Sequence, residues 1–258
     1  MGNAYSSQVF KIPQESVDYP AASEYVISRI GAILQDAINS GRNKIFINTN
    51  LRKGIPMENV NKIAGPFVEA WAGELFESIA ETPNNKWDLV HVESCKRLDL
   101  ADVILQFKHK TAMGDIASAN VDVKATAEDF DNSGKSPNIT SFERIRNAYI
   151  EDPDYIFIIL SLKHKVYGER DTTTGLFNGV MEIVKHNAYD LKYISENDIS
   201  YNPALGTGQL QIKDIHYVSI TQRSTWNFCQ MIDRMYIASS KRTFEDWLNL
   251  AKNNEWVK

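Results

Sequence analysis

Residues 155–167, YIFIILSLKHKVY, open on a continuous apolar run. A run of this length bounded by polar residues is what a central strand needs when both of its faces are covered. A chain that carries it is committed to a sheet with other elements packed on it. Helical spacing of apolar residues supplies those elements. Pro20 to about Asn39 places Val26, Ile27, Ile30, Ile33, Leu34 and Ile38 on one side. A second helix is expected to begin at Pro66, with Phe67, Trp71, Leu75 and Ile79 as its buried stripe. A third fits about 140–150, with Phe142, Ile145 and Tyr149 on one face, and two more fit about 222–238 and 243–253. Strands are expected at about 88–94, 102–108 and 119–126, and weaker ones at 180–194 and 208–220, while Asn48 to Pro56 reads as a polar loop. The fold class is therefore α/β (α+β), a mixed central sheet flanked by helices. The 258 residues are read as a single domain, long enough for a well-buried core.

Two of the expected strands carry charges that a buried sheet does not tolerate cheaply. In ADVILQFK, Asp102 heads a strand filled by Val103, Ile104, Leu105 and Phe107. In NVDVKAT, Asp122 and Lys124 alternate with Val121, Val123 and Ala125, so the two charges share one face and the apolar residues the other. Such groups must be paired, bind a metal or line a cleft. An acidic residue two positions before a lysine is a weak signal, and Asp190-Leu191-Lys192 repeats it. Only the first instance follows an Asp-led apolar strand across a turn-forming loop. A structural Asp–Lys pair at a strand end is the plain reading. The chemical reading is metal-assisted phosphodiester hydrolysis. Mg2+ takes hard oxygen ligands and keeps several waters, so Asp102 and Asp122 suit it. Lys124 on the same face would orient or help deprotonate the attacking water and offset transition-state charge.

Competing chemistries find little support. Ser133-Gly134-Lys135-Ser136 ends like a phosphate-binding loop, but Asp129 stands where that motif needs glycine. Gly206-Thr207-Gly208 begins a dinucleotide fingerprint whose third glycine is Gln211. The five histidines have no zinc-protease spacing, and no G-x-S-x-G elbow is present. Cys95 and Cys229 form no metal or redox motif, and the reading is a cytoplasmic protein without a membrane span or secretory signal. Gly2 and Ser6 fit the loose myristoylation pattern, and Asn138-Ile139-Thr140 is formally a glycosylation sequon. The net charge of −5 speaks against a polycation that binds nucleic acid in bulk, yet Lys/Arg clusters leave room for a local basic cleft. Each cluster alone reads as a solvated face.

The arrangement Asp102…Asp122-Val123-Lys124 resembles the PD-(D/E)xK nuclease superfamily, with Ala101 in place of the usual proline. The stretches NTNLRKGIP, NKIAGPFVEAWA, ADVILQFK, NVDVKAT, SGKSPNITSF, DPDYIFIILS, YDLKYIS, ISYNPALGTGQLQIKDIHYVS and KRTFEDW extend that likeness to the HpaI-type family of type II restriction endonucleases, with the HincII type more distant. It runs from about residue 11 to the C-terminus. The resemblance implies a restriction-endonuclease-like fold with its catalytic core at about 66–165. It implies a homodimer that cuts double-stranded DNA with Mg2+ at a palindromic hexanucleotide, GTTAAC, leaving blunt 5'-phosphate ends, and a partner methyltransferase that protects host DNA. By resemblance Asp102, Asp122 and Lys124 are catalytic, the Val123 carbonyl joins the two aspartates as a metal ligand, and Glu74 is a helix glutamate near the metals. Lys135, Ser136 and Asn138 match a segment that enters the DNA, although the loop is longer here.

Residue chemistry is compatible with these roles. An asparagine at 138 can bond adenine N6 and N7 together. In NPALGTGQ, Asn202, Ala204, Gly206 and Gly208 would let backbone approach base edges, and Thr207 and Gln209 add donors and acceptors. A plain hairpin turn is the alternative for that loop. Arg144 and Arg146 are expected to touch phosphates, which sets register without reading sequence. A structure-directed nuclease and a non-catalytic DNA-binding module on the same fold are the rival readings.

Overall fold

The computed structural model describes residues 2–96, 99–111, 114–204 and 206–258. In chain order the elements are α1 (Gly2–Ser6), α2 (Tyr19–Asn39), β1 (Lys44–Ile47), α3 (Met57–Lys62), α4 (Ala64–Ala80), β2 (Leu89–Ser94), β3 (Val103–Thr111), β4 (Gly114–Ala127) and β5 (Asn138–Ser141). They continue with α5 (Phe142–Glu151), β6 (Ile156–Arg170), β7 (Phe177–Asp190), β8 (Ile199–Asn202), β9 (Gln209–Ile212), α6 (Thr225–Ala238) and α7 (Phe244–Asn253). The described residues fall into two compact units. One comprises Ala21–Gly134 and Phe157–Asp190; the other comprises the residues up to Pro20, Lys135–Ile156 and Leu191–Lys258.

The first unit is built on a six-stranded sheet in the order β1-β7-β6-β4-β3-β2. β6 lies inside it, and Phe157 to Leu162 are all buried, as the apolar run requires. β3 and β4 pair antiparallel from Val103↔Val121 to Thr111↔Gly114. Between β4 and β6 the contacts advance together: Thr126 Oγ1 donates to the Leu162 carbonyl at 3.5 Å, and Glu128 N donates to the His164 carbonyl at 2.8 Å. These two strands therefore run parallel, and the sheet is mixed, in agreement with the expected fold class.

α4 packs against β2 and β4 and buries Val68, Ala72, Leu75, Phe76 and Ile79. This corrects the expected stripe at its first half. Phe67 is 41% exposed, and Trp71 is half-buried with its indole N–H donated to the Arg42 carbonyl at 3.0 Å. Adjacent residues on a helix differ by only about 100°, so the periodicity left two neighbouring stripes available and packing took the one with smaller side chains. The helix also starts two residues early, at Ala64, which leaves Pro66 in the first turn where its missing N–H removes no intrahelical bond.

The second unit carries a small antiparallel sheet, β5-β9-β8, with α5, α6 and α7. Leu210 and Ile212 of β9 are fully buried, so Gln209 and Gln211 face the other side. α5 begins at a Ser141 cap that accepts from Arg144 N at 3.2 Å, and it buries Phe142, Ile145 and Tyr149 as expected. β1, β5 and β8, each four residues long, escaped the sequence reading because so short a run shows no period. Among the described residues no helix is long and apolar enough to cross a membrane.

Candidate active site

The β3–β4 register brings the charged residues of the two strands together. Extended by one residue from Val103↔Val121, it sets Asp102 opposite Asp122. Asp102 is pinned at the strand head. Its N–H donates to the Val121 carbonyl at 2.9 Å, and its Oδ2 accepts from the Val123 N–H at 2.7 Å. Lys124, two residues after Asp122 and on the same face, donates from Nζ to Asp122 Oδ1 at 2.7 Å. The lysine side chain is 24% exposed and the aspartate 7%.

Electrostatics at this point are loaded. Burial pushes the Asp122 carboxyl up to about 7, against the pull of Lys124, while Asp102 and Glu69 add to the rise. Burial also raises Glu69, with Asp102 adding and Lys124 opposing. Glu69 is therefore the α4 carboxylate that feels both the aspartates and the lysine. Glu74, the expected helix glutamate, is exposed on the wall of the same cleft and makes no hydrogen bond or ion pair among the described residues. Both glutamates flank the buried stripe, and nothing in the sequence distinguishes them. The cleft has a volume of about 560 Å3, and Glu69, Glu74, Glu77, Lys96, Asp102 and Val103 are among its lining residues.

The donors fit a hard divalent cation. Asp122 Oδ2 is buried with no hydrogen-bond partner, and a buried carboxylate oxygen left so costs free energy unless an ion or water meets it. Among the described residues no three acidic, His or Cys side chains converge to cage an ion by themselves. Two carboxylates, a backbone carbonyl and retained waters are the pattern Mg2+ accepts.

The expected DNA-facing residues lie in the second unit. Lys135 is ion-paired with Asp214, and Ser136 adopts a left-handed backbone, φ +49°, with its N–H donated to the Lys213 carbonyl at 3.1 Å. Asn138 is exposed at the start of β5, opposite Gln211. In the second loop Asn202 Oδ1 accepts from Ala204 N at 3.0 Å, and Gln209 pairs with both Asn202 and Ser141. Gly208 has φ +90°, and a Cβ there would collide with the Tyr201 ring, whose hydroxyl donates to the Thr207 carbonyl at 2.7 Å. The Arg242 guanidinium donates to the carbonyls of Gly206 and Pro203. The loop is the hairpin connection between β8 and β9, and these contacts brace it. Arg242, which reads in the sequence as part of a solvated Lys-Arg pair, is its clamp. Leu205 lies outside the described residues.

Two sequence features resolve as structural. Arg146, expected at a phosphate, is fully buried against Asp233 at 3.2 Å, beneath the Trp226 and Trp256 rings, so it has no surface to offer a backbone. The α5 face that buries Ile145 and Tyr149 carries it inward, while Arg144 is exposed. In the second Asp-x-Lys motif, Asp190 accepts from the Ser23 hydroxyl at 2.7 Å, and buried Lys192 pairs with Glu15. These charges are internally satisfied.

A mixed sheet flanked by helices, with two strand-borne aspartates and a lysine on one face beside an acidic cleft, matches a restriction-endonuclease-like nuclease fold. Sequence comparison makes the assignment specific. The family profile described as type II restriction endonuclease HpaI matches residues 6–255. The type II restriction enzyme HpaI of Haemophilus parainfluenzae is 55% identical over 254 residues, covering 98% of this chain and 99% of that protein. The chain belongs to the HpaI family of type II restriction endonucleases.

Proposed function

We propose that this protein hydrolyses double-stranded DNA at the palindrome GTTAAC in a Mg2+-dependent reaction, cutting at the centre to leave blunt 5'-phosphate ends. The observation that supports metal-assisted hydrolysis is the partnerless Asp122 Oδ2 beside an Asp102–Asp122–Lys124 cluster, and the choice of site rests on the likeness to HpaI. Asp102, Asp122 and the Val123 carbonyl would hold the cation. When bound, Mg2+ supplies a Lewis acid for the phosphate and lowers the pKa of a water. Asp122 Oδ1 anchors the Lys124 ammonium over the same site, where it orients the attacking water and offsets charge on the phosphate oxygens. The Val123 N–H holds Asp102 in register, so the two carboxylates keep a fixed separation.

Reading of the bases is assigned to the loop of Lys135, Ser136 and Asn138 and to the 202–209 loop, with Arg144 on the backbone. A palindromic site is matched by a two-fold homodimer, and the cleavage it causes requires a methyltransferase to protect the host's own DNA. The test is digestion of a sequenced plasmid with Mg2+ or with EDTA, followed by sequencing of the ends. Blunt ends centred on GTTAAC, formed with Mg2+ and absent with EDTA, are expected. Discrete ends elsewhere would overturn the specificity, junction-dependent or random products would favour a structure-directed nuclease, and binding without scission a non-catalytic module.

A further inference from the structure

An asparagine side chain can face a base edge in either of two orientations, one leading with Nδ2 as donor and the other with Oδ1 as acceptor. In this protein a neighbour selects between them. Gln211 of β9 stands opposite Asn138, and its Nε2 donates to Asn138 Oδ1 at 2.9 Å and to the Ser136 carbonyl at 3.1 Å. One amide group thereby spends its two protons on the loop that bears the left-handed Ser136. Among the described residues Asn138 Nδ2 has no protein acceptor, and Asn138 is exposed. Gln211 itself is held firmly, because Leu210 and Ile212 on either side of it are fully buried. A group mounted on a strand between two buried anchors is better fixed than one on a free loop.

We infer that Gln211 is a positioning residue for base recognition: it holds the Asn138 carboxamide with Nδ2 free to donate and one Oδ1 lone pair left to accept. That pattern complements the adenine major-groove edge, N7 as acceptor and N6 as donor, and mismatches guanine, where N7 and O6 both accept. The inference rests on Asn138 being a base reader, and the following experiment tells the failure of one from the failure of the other. Cleavage rates of wild type, Q211M, Q211E, N138A and N138A/Q211M are measured at the site mapped on a sequenced plasmid and at sites differing from it by one base pair. Thermal unfolding midpoints are recorded for each variant. Q211M keeps the length of glutamine and loses the donor. It is expected to lower the ratio of cognate to near-cognate cleavage roughly tenfold, the scale of one bidentate base contact, with the midpoint unchanged. Q211E accepts where glutamine donates, so it would turn the Asn138 amide over and lower the ratio further. In N138A/Q211M the ratio is expected to equal that of N138A alone. If Q211M unfolds at lower temperature, Q211E carries the comparison. An unchanged ratio in both Gln211 variants, or effects of Q211M and N138A that simply add, would overturn the inference. An N138A protein with wild-type discrimination would instead remove Asn138 as a reader.

Discussion

Lys124 Nζ donates to one oxygen of Asp122 at 2.7 Å, and the other oxygen of that carboxylate is buried with no hydrogen-bond partner. The lysine restrains the aspartate without saturating it. Half of the carboxylate remains for a cation, and the arrangement costs the fold stability, since burial disfavours the charged form. The carboxyl is raised in the folded chain, so the ionised group is a liability there above its ordinary range.

Asp122→Asn and Lys124→Ala are therefore expected to separate activity from stability. Each lowers the cleavage rate by roughly 100- to 1,000-fold or more, the scale of losing one aligned charge in such a site. Asp122→Asn keeps or raises the thermal midpoint, because it removes a buried charge. Single-turnover cleavage and thermal unfolding of the same preparations check this. Undiminished cleavage by both variants would discard the mechanism.

Glu69 is coupled to Asp102 and Lys124. Glu69→Gln is expected to weaken the apparent Mg2+ affinity by about tenfold, as losses around metal ligands commonly do, and more than Glu74→Gln does. Titration of cleavage against Mg2+ for the two variants decides which glutamate matters. An equal or reversed order would restore Glu74.

Arg144 and Arg146, two positions apart on α5, predict opposite outcomes. Arg146→Ala leaves Asp233 buried without its cation, at a cost of about 3–5 kcal/mol in denaturant unfolding. Arg144 is exposed, so Arg144→Ala is expected to lower the unfolding midpoint far less than Arg146→Ala. It is expected to reduce the slope of log binding constant against log salt by about one in magnitude per lost phosphate contact. Binding in Ca2+ at several salt concentrations gives that slope; no change in it would remove Arg144 from the interface.

Glu15 provides a pH test in the second unit. Burial acts to raise its carboxyl, but hydrogen bonds from Lys192 and Thr225 prevail and hold it below the usual glutamate range. A depressed carboxyl stabilises the fold above its unfolded pKa, and that contribution is lost as pH falls through the folded value. Lys192 is fully buried, so Glu15→Gln is expected to lower stability at neutral pH by leaving that ammonium without its carboxylate. Urea midpoints of the two proteins are expected to converge in acid, at and below the ordinary glutamate pKa. A gap that persists undiminished into strong acid would mean the pair contributes little.

By itself the sequence determined what depends on period and order. The apolar run around Ile158 required a central strand, alternation in NVDVKAT put Asp122 and Lys124 on one face, and helical spacing placed α2, α5 and the C-terminal helices within a few residues. These are properties of neighbours along one element, where side-chain direction follows from the backbone repeat. Tertiary structure alone decided which of two adjacent α4 faces was buried, and with it that Glu69 feels the charge of Asp102. It also turned Arg146 inward to Asp233, gave Lys192 to Glu15, and set Gln211 against Asn138. Each of those outcomes is a pairing between residues distant in the chain, governed by volume, charge and the need to satisfy buried polar groups. A single strand or helix carries no record of what will face it.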